Sequence, residues 1–214
     1  MINTYLYIGL LLLMIILCIR AFIEGIKTAP RKIKVYNSIS TLGLTLRYIT
    51  LFILFIIQGM NYIYFTKYLV YINFMAIPCV IALCMYIFMR VDGLKFNYFF
   101  TLMILALGFY TMIIALFPVS IELHNFYGYI LKFLSQDRVY LLYIVVLSIA
   151  LMITVIGYGK KNSLTFGVFM IMLSIMVMLG EILLKLMGNP IVANTLLGEG
   201  LILITLNMGI KTFK

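Results

Sequence analysis

Apolar residues along the chain gather into seven runs, about Tyr5 to Ile23, Leu44 to Tyr64, Tyr68 to Met89, Tyr98 to Phe117, Val139 to Tyr158, Leu164 to Met187 and Ile191 to Ile210. Each is long enough, at 1.5 Å of rise per residue, to cross ~30 Å of hydrocarbon as a helix. The strands of a membrane barrel alternate and last only about ten residues, whereas these runs are continuously apolar, so helices are predicted. The fold class that follows is all-α: a polytopic bundle of seven transmembrane helices, with residues 1–214 forming a single domain.

Polar positions between the runs predict the connections. The first, Glu24 to Gly43, contains Ala29-Pro30-Arg31-Lys32-Ile33-Lys34. Pro30 discourages a continuous helix there, and a basic loop is expected. Arg31, Lys32 and Lys34 are its candidate contacts, either with anionic lipid at ~1 kcal/mol per cation near the surface or with a cytoplasmic partner. The longest connection runs from Pro118 to Arg138. Within it, Ile121 to Ser135 fits a helix with His124, Asn125, Gly128, Lys132 and Ser135 on one side and Leu123, Phe126, Tyr127, Ile130, Phe133 and Leu134 on the other. That pattern predicts a helix lying in the membrane interface.

Sorting the cations by side orients the chain. With the N-terminus outside, Arg20, Lys27, Arg31, Lys32, Lys34, Arg47, Arg90, Lys95, Lys160, Lys161, Lys211 and Lys214 fall on the inner side, which is twelve of the sixteen Lys and Arg. Only Lys67, Lys132, Arg138 and Lys185 fall outside. The positive-inside rule therefore predicts an extracellular N-terminus and a cytoplasmic C-terminus, in a multi-pass plasma-membrane protein.

Composition narrows the class further. Hydrophobic residues make up 65% of the chain and charged residues 10%, which excludes a water-soluble fold. The net charge of +10 sits at the ends of apolar segments, a membrane-surface pattern and not a nucleic-acid groove. Cys18, Cys79 and Cys84 lie inside apolar runs without His or acid nearby, so inert thiols and no metal site are expected. Met1-Ile2-Asn3-Thr4 carries no basic n-region, and the first run is expected to be a retained helix.

Chemistry is sparse. A charged group in hydrocarbon costs ~2.5 to 3.5 kcal/mol on insertion scales and needs a partner, a wet cavity or a proton. Two acids fall inside predicted spans, Glu181 and Glu199. Lys185 lies one turn beyond Glu181, which predicts a local ion pair. Glu199 stands between Gly198 and Gly200 with Thr195 one turn before it, and the glycines permit close helix approach. By counted depth, Gln58 is nearest to Glu199, while Asn61, Glu181 and Asn194 lie closer to the outer surface. The outer half of spans two, six and seven is thus polar, and Glu199, Gln58, Glu181, Asn61, Asn194 and Thr195 are the candidate ligand-binding residues. Interhelical hydrogen bonding, worth ~0.6 kcal/mol each on average in membranes, is the alternative role for the amides. With a single His and no nucleophile, metal or hydrolase motif, no enzyme activity and no cofactor are expected.

The short turn Tyr64-Phe65-Thr66-Lys67, the run Tyr71-Ile72-Asn73-Phe74-Met75-Ala76-Ile77-Pro78, Phe117-Pro118 with Glu122-Leu123-His124, and Glu181-Ile182-Leu183-Leu184 followed by Gly188-Asn189-Pro190 together resemble a known pattern. It is that of the seven-helix N-terminal sensor region of some bacterial histidine kinases and cyclic-dinucleotide enzymes. The resemblance implies sensing of an extracellular or membrane-borne signal and its transfer to a cytoplasmic output domain. Here only Lys211-Thr212-Phe213-Lys214 follow Ile210, so the expected output is a separate protein. The resulting expectation is a receptor-like or accessory protein that binds a small or lipophilic ligand in its outer half. A small-molecule transporter or channel is the second reading, although matching Pro or Gly breaks in two halves are missing. A structural subunit of a membrane complex is the third.

Overall fold

The computed structural model describes residues 2–56, 63–90, 96–124, 128–160, 163–188 and 195–213. Its helices are α1 (Ile2–Thr28), α2 (Arg31–Ile56), α3 (Ile63–Val70), α4 (Asn73–Met89), α5 (Asn97–Leu116), α6 (Gln136–Gly157), α7 (Thr165–Leu186) and α8 (Leu196–Lys211), with strands β1 (Val119–His124) and β2 (Gly128–Phe133) between α5 and α6. Among the described residues, six helices are long and apolar enough to cross a membrane, α3 and α4 together counting as one. This is the organisation of a multi-pass membrane protein. The 16 residues of α8 fall short of that length, and the start of the predicted seventh run lies outside the described residues.

Two expectations are corrected. The connection expected from Glu24 to Gly43 is almost entirely helical: α1 continues to Thr28 and α2 begins at Arg31. Pro30 does interrupt the helix, but only locally. Its carbonyl accepts the Lys34 amide at 2.8 Å, so the proline stands at the start of α2, where a missing N–H costs nothing. Arg31, Lys32 and Lys34 accordingly occupy the first turn of a helix, and Lys32 donates to Asn97 Oδ1 at 2.8 Å, joining the starts of α2 and α5.

The interfacial helix predicted over Ile121 to Ser135 is instead an antiparallel β-hairpin pairing Val119 with Phe133 through His124 with Gly128. Val119-Ser120-Ile121-Glu122-Leu123-His124 alternates with period two, and Tyr129, Leu131 and Phe133 are the buried positions of β2. Gly128 has φ of +70°, which a helix does not accommodate. The all-α expectation therefore holds except at this hairpin.

Helix α4 forms the centre of the bundle and packs on α2, α5, α6, α7 and α8; α1 lies against α2 and α8. Asn37 on α2 and Asn207 on α8 each donate to a carbonyl of α1, of Ala21 and Leu17 respectively, tying that outer helix down. Large apolar side chains such as Ile104 on α5 and Ile156 on α6 face outward, toward lipid. One end of the bundle carries the hairpin. At the other, the Leu164 amide donates to the Phe88 carbonyl at 2.9 Å, and Cβ atoms at Gly157 or Gly167 would collide with Met89 or Phe88. There α4, α6 and α7 converge at the basic end.

Candidate functional site

The chain is irregular where α3 meets α4. The Phe74 amide bonds the Tyr71 carbonyl at 3.1 Å, a tightened i to i+3 contact, in place of the Val70 carbonyl it would reach in an α-helix. Val70 O is thereby released inside the bundle, and Arg47 Nε donates to it at 2.9 Å. Four residues further on, Pro78 has no N–H to offer the Phe74 carbonyl. The turn around Phe74 is thus under-bonded on both sides.

Arg47 was expected among the inner cations, but it is 2% exposed and its guanidinium is ion-paired with Glu199, which is 1% exposed. The expectation fails because α2 places Arg47 some sixteen residues into the helix, far from its basic end. A buried charge survives only when its remaining hydrogen-bonding capacity is met. Here Tyr48 Oη donates to Glu199 Oε2 at 2.8 Å and Thr195 Oγ1 donates to Oε1 at 2.7 Å. The signal was present in the sequence, since an arginine within the Leu44-Thr45-Leu46-Arg47-Tyr48-Ile49 run requires a partner acid.

Glu181 has a different part. Its two carboxylate oxygens accept the Leu197 and Gly198 amides at 3.1 and 2.9 Å, capping the N-terminus of α8 from α7. Gly198 makes this possible, as a Cβ there would lie 2.7 Å from the Met178 backbone nitrogen. Lys185, expected beside Glu181, donates to Tyr140 Oη on α6 at 2.8 Å. Thr195, Glu199 and Glu181 are therefore brought together at the start of α8, whereas Gln58, Asn61 and Asn194 lie outside the described residues.

Beside this network is a small polar cavity of about 10 Å³, lined by Arg47, Tyr71, Asn73, Tyr143, Lys185 and Thr195 among others. Two of its lining groups, Tyr143 Oη and Asn73 Oδ1, are buried without a hydrogen-bond partner. The hairpin closes the same end. Tyr71 Oη donates to the Leu131 carbonyl at 2.7 Å and its ring lies 4.1 Å from that of Phe133.

A second, larger space runs along the membrane-facing flank. About 460 Å³ in volume, it is walled by α4 (Pro78, Ile81, Met85), α5 (Leu105, Phe109) and α6 (Ile149, Ile153), and nearly all of its lining is apolar. It exists because α5 packs mainly on α4 and stands away from α6. Phe74 lines both spaces, with its ring edge-on to Tyr143 at 4.8 Å. Sequence reading missed this groove, since a gap between helices depends on their spacing and not on any one residue. No protein-family model, curated protein or solved structure matches the chain.

Proposed function

We propose that this chain is a receptor-like or accessory membrane protein that takes a lipophilic ligand from the bilayer and acts through a separate partner at its basic end. The observation that carries the reading is the groove between α4, α5 and α6. At about 460 Å³ it has the size of a ligand pocket, its walls are apolar, and it opens sideways onto hydrocarbon. A polar solute has no route to such a space, whereas a lipid-soluble one partitions directly into it. The groove lies mid-bundle and reaches the outer half only at its Phe74 end, so the ligand enters deeper than the polar residues alone suggested. Arg31 and Lys32, exposed on the first turn of α2, are the candidate partner contacts.

Photolabelling of the protein in nanodiscs with a diazirine-bearing long-chain hydrocarbon tests this. Labels are expected on α4, α5 and α6, and Ala106→Phe or Ala150→Phe, which fill the groove, should lower them at least fivefold. Labelling spread evenly over all lipid-facing helices, or unchanged by both substitutions, would overturn the reading.

The α3–α4 break beside a buried ion pair supports a second reading, a transporter, because discontinuous helices hold coupling ions in such folds. Substrate flux into proteoliposomes that is lost in Glu199→Gln would favour it over a receptor.

A further inference from the structure

We infer that the apolar groove and the polar cavity form one site for a single-chain amphiphile with a small, neutral hydroxyl head, divided by Phe74. The inference rests on the lipophilic-ligand reading and names the ligand's chemistry. Along α4 the groove extends from Phe74 to Met85, ~17 Å by helical rise, and the cavity adjoins it through Phe74. Along α6 the order is the same: Val146, Leu147 and Ile153 line the groove, and Tyr143 and Tyr140, one and two turns nearer the hairpin, line the cavity.

The head group follows from the unmet hydrogen bonds. Asn73 Oδ1 needs a donor, and Tyr143 Oη both offers a proton and accepts one. A hydroxyl supplies donor and acceptor in one atom, and a cavity of about 10 Å³ admits one group of water size. A phosphodiester head is too large. A carboxylate fits less well, because Arg47 is already neutralised by Glu199 and an ionised carboxylate, which only accepts, brings no donor for Asn73 Oδ1. The divider is suited to move: Phe74 sits in the turn that has surrendered one helical bond to Arg47 and lost another to Pro78. Rotation of its ring away from Tyr143 would join the two spaces.

The test compares a photoactivatable long-chain alcohol with its methyl ether and with the fatty acid of equal length, on the protein in nanodiscs. The alcohol is expected to bind about tenfold more tightly than the ether, which lacks the donor. Tyr143→Phe should weaken both about fivefold, because either oxygen accepts the Tyr143 proton, Asn73→Leu should weaken the alcohol and leave the ether unchanged, and Phe74→Ala should speed labelling by the alcohol. If all three probes label the groove equally and Tyr143→Phe changes nothing, the head-group assignment is overturned while the groove reading stands. Tighter binding of the fatty acid overturns the neutral head. If none labels the groove, both readings fall.

Discussion

Arg47 and Glu199 illustrate how far a single residue's surroundings can change its meaning. Each is costly alone in an apolar interior and acceptable together, with Val70 O, Tyr48 and Thr195 meeting the remaining hydrogen bonds. Removing one partner is therefore predicted to destabilise by about 3 to 5 kcal/mol, because it strands a buried charge. Arg47→Met and Glu199→Leu should each lower the unfolding midpoint in detergent, and the double variant should recover most of the loss. Additive losses in that cycle would show that the two side chains do not act as a unit. Glu199 could be singled out from sequence as an intramembrane acid flanked by glycines. Its partner was not legible, since rise counting from a span starting at Leu44 points to Gln58 and leaves Arg47 at the inner end, whereas α2 begins at Arg31 and carries the arginine to Glu199.

At the level of elements, helices were legible because twenty-residue apolar runs leave the backbone no other way to satisfy itself in hydrocarbon. The hairpin was harder to see. Its six-residue strands are short enough that the positions Leu123, Ile130 and Leu134 also fit a helical stripe, and the alternation in Val119 to His124 competes with that stripe. The deciding residue is Gly128. Its φ of +70° disfavours any side chain, and a Cβ there would stand 2.8 Å from the Phe55 Cα at the end of α2. Gly128→Ala is thus expected to undock the hairpin and raise protease cleavage between β1 and β2, whereas Tyr71→Phe, which removes one hydrogen bond of ~1 kcal/mol, should raise it far less. Equal cleavage in the two variants would contradict this ranking.

For the whole molecule, the two ends of the bundle differ in chemistry. The hairpin, the polar cavity and the Arg47–Glu199 pair occupy one end, and Arg31, Lys32, Lys34 and Lys211 mark the other. Moving Arg47 into the core takes one cation from the inner tally without reversing its sign, so the orientation still proposed is N-terminus out. Impermeant maleimide applied to intact cells should label a cysteine placed at Leu134, and should reach one placed at Lys160 only after permeabilisation. The background is favourable, because Cys18, Cys79 and Cys84 are all buried. The opposite labelling pattern would invert the topology and place the proposed partner surface outside.

The long reach of the Arg47–Glu199 contact has a further consequence for biogenesis. The two residues are separated by 152 positions, so the arginine is synthesised five helical segments before the glutamate that neutralises it. Until α8 is delivered, α2 carries an unmatched cation in a hydrophobic environment, a burden of ~2.5 to 3.5 kcal/mol that favours retention beside the insertion machinery over release into lipid. Arrival of α8 removes that burden, so the arginine is matched only after the intervening helices have been made.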